Sequence, residues 1–209
     1  MAVRVDHAVT SGTFSLDGQT FEVDNNVWVI GDDDECVIID APHDVPTILA
    51  LVGGRRVRAI LATHGHDDHV RVAPELAEAT GAPVLLHDAD RVLWDLVHPQ
   101  LPPHGEVRDG QSIEVAGTPL WVLHTPGHSP GACSFYAPEL GAVFTGDTLF
   151  HSGPGATGRS YSDFDTIIES IRTRLLTLPA ETVVHTGHGD DTTIGAEAPH
   201  LPEWLARGH

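Results

Sequence analysis

Residues 63–69 read Thr63-His64-Gly65-His66-Asp67-Asp68-His69 and directly follow the apolar run Ile60-Leu61-Ala62. The apolar run predicts the end of a buried strand, and the glycine predicts a turn in which several side chains can converge. Neutral imidazole and carboxylate are ligands that zinc prefers, and they also suit iron or manganese. The segment therefore predicts a divalent-metal site where a strand ends.

Three further strand ends carry a candidate ligand directly after a glycine. His128 lies in Thr125-Pro126-Gly127-His128-Ser129, Asp147 in Phe144-Thr145-Gly146-Asp147-Thr148, and His188 in Thr186-Gly187-His188-Gly189. Glycine lets the backbone turn sharply at such points. A single histidine of this kind is more often an ordinary surface residue, but packing does not explain three such arrangements. We therefore predict one metal centre built from seven residues: His64, His66, Asp68, His69, His128, Asp147 and His188.

Strand-like runs alternate with helical patterns along the rest of the chain. The predicted strands are residues 26–30, 36–40, 57–62, 83–87, 112–115, 120–124, 132–136, 142–145 and 182–185. The predicted helices are residues 45–51, 70–80 and 89–97, one that begins at Ser162 as N-cap and ends at Pro179, and a short one within 197–204. The simplest arrangement of these elements is α/β, an αββα sandwich with helices outside two sheets. The 209 residues fit one domain, residues 1–209.

The order H-x-H-x-D-H, Gly-His, Gly-Asp, Gly-His resembles the metallo-β-lactamase-fold hydrolase superfamily from about Asp24 to Glu197. Residues 125–131, 144–150 and 187–197 are most similar to glyoxalase II and its short, single-domain relatives. The resemblance implies two mixed sheets flanked by helices. It also implies two ligand sets and a bridge: His64, His66 and His128 for one metal ion, Asp68, His69 and His188 for a second, and Asp147 between them.

The resemblance also implies the chemistry of the site. Two divalent ions, expected to be zinc with iron or manganese as alternatives, share a water and lower its pKa towards 7. The resulting hydroxide is the nucleophile, so no serine or cysteine is required. Asp68 is the candidate catalytic residue, because its carboxylate can orient the attacking water or accept its proton.

Four other residues are candidates for the surroundings of the metal centre. Asp40 ends a predicted strand and resembles the family's aspartate that orients a ligand imidazole through its second nitrogen, although a plain turn residue explains it equally well. His151 begins the loop that borders the substrate in this family. Arg159 and Tyr161 lie in the same loop, and Tyr161 is a candidate donor to a substrate carbonyl.

The glyoxalase-like segments favour a small-molecule substrate, the thioester of a low-molecular-weight thiol. Asp147 stands where members that hydrolyse β-lactams often have cysteine, which disfavours antibiotic hydrolysis. We do not expect the C-terminal helical extension that binds glutathione in longer glyoxalase II enzymes. The sequence has no lysine, and only Arg159 near the pocket loop and Arg207 in the tail could bind the carboxylates of glutathione. A less anionic carrier thiol such as mycothiol is therefore an alternative to glutathione. For the reaction, the alternatives are a persulfide dioxygenase with one iron on His64, His128 and Asp147, or a lactonase.

Composition narrows the partners and the location. Thirty acidic residues against 11 basic ones give a net charge of -19, which disfavours binding to nucleic acid or acidic membranes. No apolar run approaches the roughly 20 residues of a membrane span, and the N-terminus lacks the features of an export signal, so a cytoplasmic protein is expected. Cys36 and Cys133 lie in apolar runs and are predicted to be reduced core thiols. No feature of the sequence indicates an oligomeric state.

Overall fold

Two β-sheets of six strands each pack face to face in the computed structural model, which describes residues 2–208. The first sheet contains, in spatial order, β1 (Arg4–Leu16), β2 (Gln19–Gly31), β3 (Glu35–Ile39), β4 (Arg56–Leu61), β5 (Val84–Leu86) and β6 (Gly105–Glu106). The second contains β7 (Ser112–Val115), β8 (Thr118–His124), β9 (Cys133–Ala137), β10 (Ala142–Gly146), β13 (Val183–Thr186) and β14 (Thr192–Thr193). Along the chain between β10 and β13, β11 (Leu149–Phe150) and β12 (Gly153–Pro154) pair as a separate two-stranded sheet.

Both large sheets are mixed. Strands β1, β2 and β3 are antiparallel, whereas β3, β4, β5 and β6 run parallel. In the second sheet only β10 and β13 pair in parallel. The helices are α1 (Val45–Val52), α2 (Asp67–Val70), α3 (Ala73–Thr80), α4 (Arg91–Val97), α5 (Phe164–Ser170), α6 (Ile194–Glu197) and α7 (Leu201–Arg207).

The two-residue period of β2 divides the core into layers, because successive side chains of a strand point to opposite faces. Val27 and Val29 pack with Ile48 of α1 and Leu76 of α3 on the outer face of the first sheet. Trp28 and Ile30, which alternate with these valines along β2, face the second sheet. On the far side, residues of α5 and α7 cover the second sheet. The layers therefore run helix, sheet, sheet, helix, and the predicted αββα sandwich is confirmed.

The long β1–β2 hairpin was not predicted from the sequence, which indicated a strand only from residue 26. The sequence of β1 is largely polar, and the outer half of the hairpin is exposed, so no apolar alternation marks it. Cys36 and Cys133 are buried free thiols in different core layers, as predicted. Within residues 2–208, no helix is both long and apolar enough to cross a membrane.

Several helix boundaries differ from the prediction. The helix predicted to end at Pro179 ends earlier, since α5 stops at Ser170 and a π-helical segment continues only to Leu175. The helix predicted at residues 70–80 begins later, because α2 ends at Val70 and α3 begins at Ala73, with Pro74, which has no amide hydrogen, in its first turn. Asp163, not Ser162, caps α5, with its carboxylate accepting a hydrogen bond from the Thr166 amide at 2.7 Å. The last helix runs to Arg207 and not to residue 204.

Candidate metal centre

The seven predicted ligands come together from the segments that follow four strands. His64 and His66 lie between β4 and α2, and Asp68 and His69 lie on α2 itself. The other three follow β8, β10 and β13, and they are His128, Asp147 and His188. Because β10 and β13 are parallel neighbours, their ends deliver the last two side chains to the same place. Sequence positions up to 124 apart thus meet in one site.

The side chains form two clusters. In the first, possible ligand atoms of His64, His66 and His128 lie within 4.8 Å of one another, and His66 Nδ1 is 3.0 Å from His128 Nε2. The second cluster joins Asp68 with His69 and His188. Asp68 Oδ2 is 3.6 Å from His69 Nε2 and 3.3 Å from His188 Nε2, and these two nitrogens are 3.3 Å apart.

Asp147 contacts both clusters through its two carboxylate oxygens. Its Oδ1 lies 3.3 Å from His69 Nε2, and its Oδ2 lies 3.4 Å from His188 Nε2. The same Oδ2 is 3.5 Å from His128 Nε2 in the first cluster. One carboxylate therefore stands between the two clusters, as a bridging ligand requires.

The residues present fit divalent cations. His64 Nε2 and His66 Nε2 are buried and have no hydrogen-bond partner among residues 2–208. Buried polar atoms in folded proteins almost always have a partner, so unpartnered nitrogens in this cluster indicate a group that the protein side chains alone do not supply. Imidazole and carboxylate are suitable donors for zinc, iron or manganese. The clusters thus support divalent metal binding.

The charge states of the two clusters differ in the metal-free protein. Burial holds the pKa of His64 well below its usual value and lowers the pKa of His66 to about 3, so both imidazoles are neutral. Burial acts in the same direction on His188, but the carboxylates of Asp147 and Asp68 outweigh it and raise its pKa to about 10. The second cluster therefore carries carboxylates that attract positive charge, which a cation would supply.

Asp40 lies directly behind one imidazole of the second cluster. Its Oδ2 accepts a hydrogen bond from His69 Nδ1 at 2.8 Å, and its oxygens also accept from the amide and hydroxyl of Thr63 at 2.7 and 2.8 Å. The Nδ1 contact turns His69 Nε2 towards Asp68 and Asp147. This position is the one that the predicted orienting role requires.

Two glycines allow the loops to meet around Asp147. Gly146 has φ of 51°, a backbone conformation that favours glycine. At Gly187 the reason is close approach, since a Cβ atom there would lie 2.2 Å from Asp147 Oδ1. Glycine is thus required before Asp147 by the backbone conformation, and before His188 by the lack of space for a side chain.

The family model of the Metallo-beta-lactamase superfamily matches residues 21–188. The chain belongs to this superfamily. The hydroxyacylglutathione hydrolase GloC of Haemophilus influenzae is 32% identical over 193 residues, covering 85% of this chain and 91% of that protein. Membership of the metallo-β-lactamase superfamily suggests hydrolase activity.

Solved structures of similar proteins share the fold of this superfamily member. TTHA1623, solved in a di-iron-bound form, has 35% identity and a TM-score of 0.72, over 90% of this chain and 96% of that one. The B3 metallo-beta-lactamase BLEG-1 has 28% identity and a TM-score of 0.79, over 93% of this chain and 99% of that one.

A cavity of about 210 Å³ opens onto the metal centre of this metallo-β-lactamase-fold chain. Its walls are Phe14, Phe21, Val23, His66, Asp68, His128, Asp147, Ala156, Arg159, Ser160, Ser162 and His188. Of the predicted pocket residues, the lining includes Arg159 but neither His151 nor Tyr161. His151 is exposed in the turn between β11 and β12, and Tyr161 is 46% exposed. A larger groove of about 730 Å³ near α3 contains none of the seven candidate ligands.

Two buried polar residues beside the centre were missed from the sequence. Asp90 accepts hydrogen bonds from the Gly65 amide at 2.8 Å, the Ser129 hydroxyl at 2.7 Å and the Gly131 amide. These three contacts join the loop of His64 and His66 to the loop of His128. Asn25 contacts the second cluster from β2. Neither residue sits in a recognisable motif, and their partners lie far away in sequence.

Proposed function

We propose that this chain is a two-metal hydrolase that cleaves the thioester of a low-molecular-weight thiol, with zinc as the expected metal. The observation that carries the proposal is the position of Asp147, whose carboxylate lies within 3.5 Å of imidazoles from both clusters. Similarity to a hydroxyacylglutathione hydrolase supports an acyl thiol as the substrate.

Each cluster would hold one ion, and Asp147 would contact both. Two divalent ions in this position lower the pKa of a bound water and polarise a carbonyl oxygen. The first cluster offers three imidazoles, while the second adds the Asp68 carboxylate. The protein's contribution is to hold these donors in place before metal arrives, through Asp40, Asp90 and the close approach at Gly187.

Asp68 is placed to orient the attacking water during hydrolysis. Although burial opposes ionisation, the neighbouring His69 and His188 lower the pKa of Asp68 to about 2, so it is a carboxylate at neutral pH. It also lines the cavity, where a substrate carbonyl would lie. A buried, ionised carboxylate beside the reacting centre can accept a hydrogen bond from the attacking water and orient it.

The cavity wall suits a substrate with an apolar part and little negative charge. Phe14, Phe21 and Val23 form its apolar side and would keep water away from an acyl or thiol group. Arg159 brings one positive charge, with its guanidinium 4.7 Å from the centre of the Phe21 ring and hydrogen-bonded to Gln19 Oε1 at 3.1 Å. A single cation favours a carrier thiol with fewer charges than glutathione.

One specific observation keeps a second candidate open. The similar protein TTHA1623 was solved with two irons, so iron is an alternative metal here. With a single iron on His64, His128 and Asp147, the chain would be a persulfide dioxygenase. The completeness of the second cluster supports the two-metal hydrolase instead.

Elemental analysis followed by an activity panel tests the proposal. The panel contains hydroxyacyl thioesters of glutathione and mycothiol, an acyl-homoserine lactone, a β-lactam, and glutathione persulfide with oxygen uptake as its readout. We expect about two zinc ions per chain and thioester hydrolysis that falls about 10²–10⁴-fold in Asp68→Asn that retains its metal. One iron per chain with oxygen uptake, or faster turnover of the lactone or β-lactam than of any thioester, would overturn the proposal.

A further inference from the structure

The side chain of Asn25 is fully buried against the second cluster. Its Nδ2 atom lies 3.1 Å from Asp68 Oδ2, 3.3 Å from His69 Nε2 and 3.4 Å from His188 Nε2. Asn25 therefore touches every member of that cluster, although it belongs to a different element, strand β2.

His43 decides which end of the amide faces the cluster. His43 Nε2 is 2.8 Å from Asn25 Oδ1, whereas His43 Nδ1 is buried without a hydrogen-bond partner among residues 2–208. A neutral imidazole carries one proton, and a proton on Nδ1 would leave a buried donor unsatisfied. The proton thus belongs on Nε2, which donates to Asn25 Oδ1 and turns the amide nitrogen towards Asp68.

The opposite amide orientation is unfavourable for a second reason. It would place Asn25 Oδ1 against the carboxylate oxygen of Asp68, where two acceptors repel each other. The ring of His43 is itself held closely, since a Cβ atom on Gly12 of β1 would lie 2.3 Å from His43 Nδ1. Strands β1 and β2 thereby fix a chain of contacts from His43 through Asn25 to Asp68.

We propose that Asn25 is a positioning residue that gives the second metal site its affinity. Its amide donates to the Asp68 oxygen that faces His69 and His188, and so holds a carboxylate that could otherwise rotate away from the two imidazoles. The inference rests on the proposed two-metal site but not on the identity of the substrate. Asn25 thereby raises the affinity of the second site.

The test measures metal binding to metal-free protein, with zinc and cobalt alone as probes. Stepwise cobalt titration followed by visible absorption, checked by elemental analysis, resolves the two equivalents. Asn25→Leu keeps the size of the side chain but removes the donor. We expect it to bind the first equivalent as the wild type does and the second about 10–100-fold more weakly, the usual effect of losing a partner that orients a ligand.

Thr10→Val is the matched control. Thr10 pairs directly with Asn25 in the β1–β2 ladder, is equally buried, and has a hydroxyl without a hydrogen-bond partner among residues 2–208. Loss of the Thr10 hydroxyl should leave the affinities of both metal equivalents unaltered. His43→Leu removes the contact that fixes the amide, and should weaken the second equivalent in the same direction by a smaller factor. If Asn25→Leu does not fold, the affinity of His43→Leu for the second equivalent tests the proposal in its place.

The possible results are distinguishable. If wild-type protein takes up two ions and Asn25→Leu binds both with unchanged affinity, the positioning role is wrong while the proposed function stands. If both equivalents weaken alike and the melting temperature falls, Asn25 is only a structural residue. A wild-type protein that saturates with a single ion contradicts the two-metal function itself.

Discussion

Replacing Asp90 with alanine removes one acceptor from three buried donors at once. The carboxylate accepts from the Gly65 amide, the Ser129 hydroxyl and the Gly131 amide, and the side chain is fully buried. A buried donor that loses its partner costs about 1–3 kcal/mol, so three donors set a range of about 3–9 kcal/mol. Burial raises the pKa of Asp90 despite these hydrogen bonds, so its removal also relieves a desolvation cost.

The net loss of unfolding free energy in Asp90→Ala is therefore expected in the lower half of that range, about 3–5 kcal/mol. In a chain of this length, that corresponds to a fall in melting temperature of about 6–20 °C. Urea unfolding of metal-free protein measures the loss without a contribution from bound metal. Metal affinity should fall as well, mainly in the first cluster, because Asp90 joins the loop of His64 and His66 to that of His128.

Asp88→Asn provides the comparison for Asp90→Ala. Asp88 lies two residues earlier in the same helical turn but is exposed, so loss of its charge should change stability by less than about 0.5 kcal/mol. A loss of less than about 1 kcal/mol in Asp90→Ala would refute the reasoning, since it would mean that water replaces all three contacts.

Two further substitutions test the packing and the charge around the centre. Gly187→Ala should reduce bound metal, measured by elemental analysis, to less than half of the wild-type amount, because its Cβ would lie 2.2 Å from Asp147 Oδ1. Gly105→Ala, whose Cβ would meet only the end of the flexible Leu85 side chain, should keep its metal. Mainly because of burial, the pKa of His43 is lowered to about 4, whereas an unfolded histidine takes up its proton near 6.5. Metal-free wild-type protein should therefore lose unfolding free energy as the pH falls from 6.5 to 4. The urea concentration at the midpoint of unfolding should fall less in His43→Gln than in the wild type over this range. An equal fall in the two proteins would contradict this account.

The candidate ligands were accessible from the sequence because each combines a chemical type with a local signal. His128, Asp147 and His188 follow an apolar run and a glycine, and both signals are visible within five residues. Asn25 and Asp90 had no such signal. Asn25 meets Asp68 and His188 across 43 and 163 residues, and Asp90 meets Gly131 across 41, so only the packing of loops reveals them.

The predicted pocket residues could not be separated by sequence alone for a similar reason. His151, Arg159 and Tyr161 belong to one loop, and sequence order does not say which of them turns inwards. The structure places Arg159 beside the rings of Phe14 and Phe21 and leaves His151 and Tyr161 outside the cavity lining. The rings come from the β1–β2 hairpin, which the sequence did not predict because its outer half is exposed.

The sequence by itself determined the αββα class and the set of donors, since apolar periodicity and ligand chemistry are local properties of the chain. The resemblance already implied the two ligand sets, the bridging Asp147 and the orienting Asp40. Only the tertiary structure gave the distances between these side chains and revealed that Asn25 and Asp90 contact the clusters. The physical reason is that hydrogen bonds between loops depend on where each strand ends in space. Those positions follow from the packing of two sheets, which no short stretch of sequence contains.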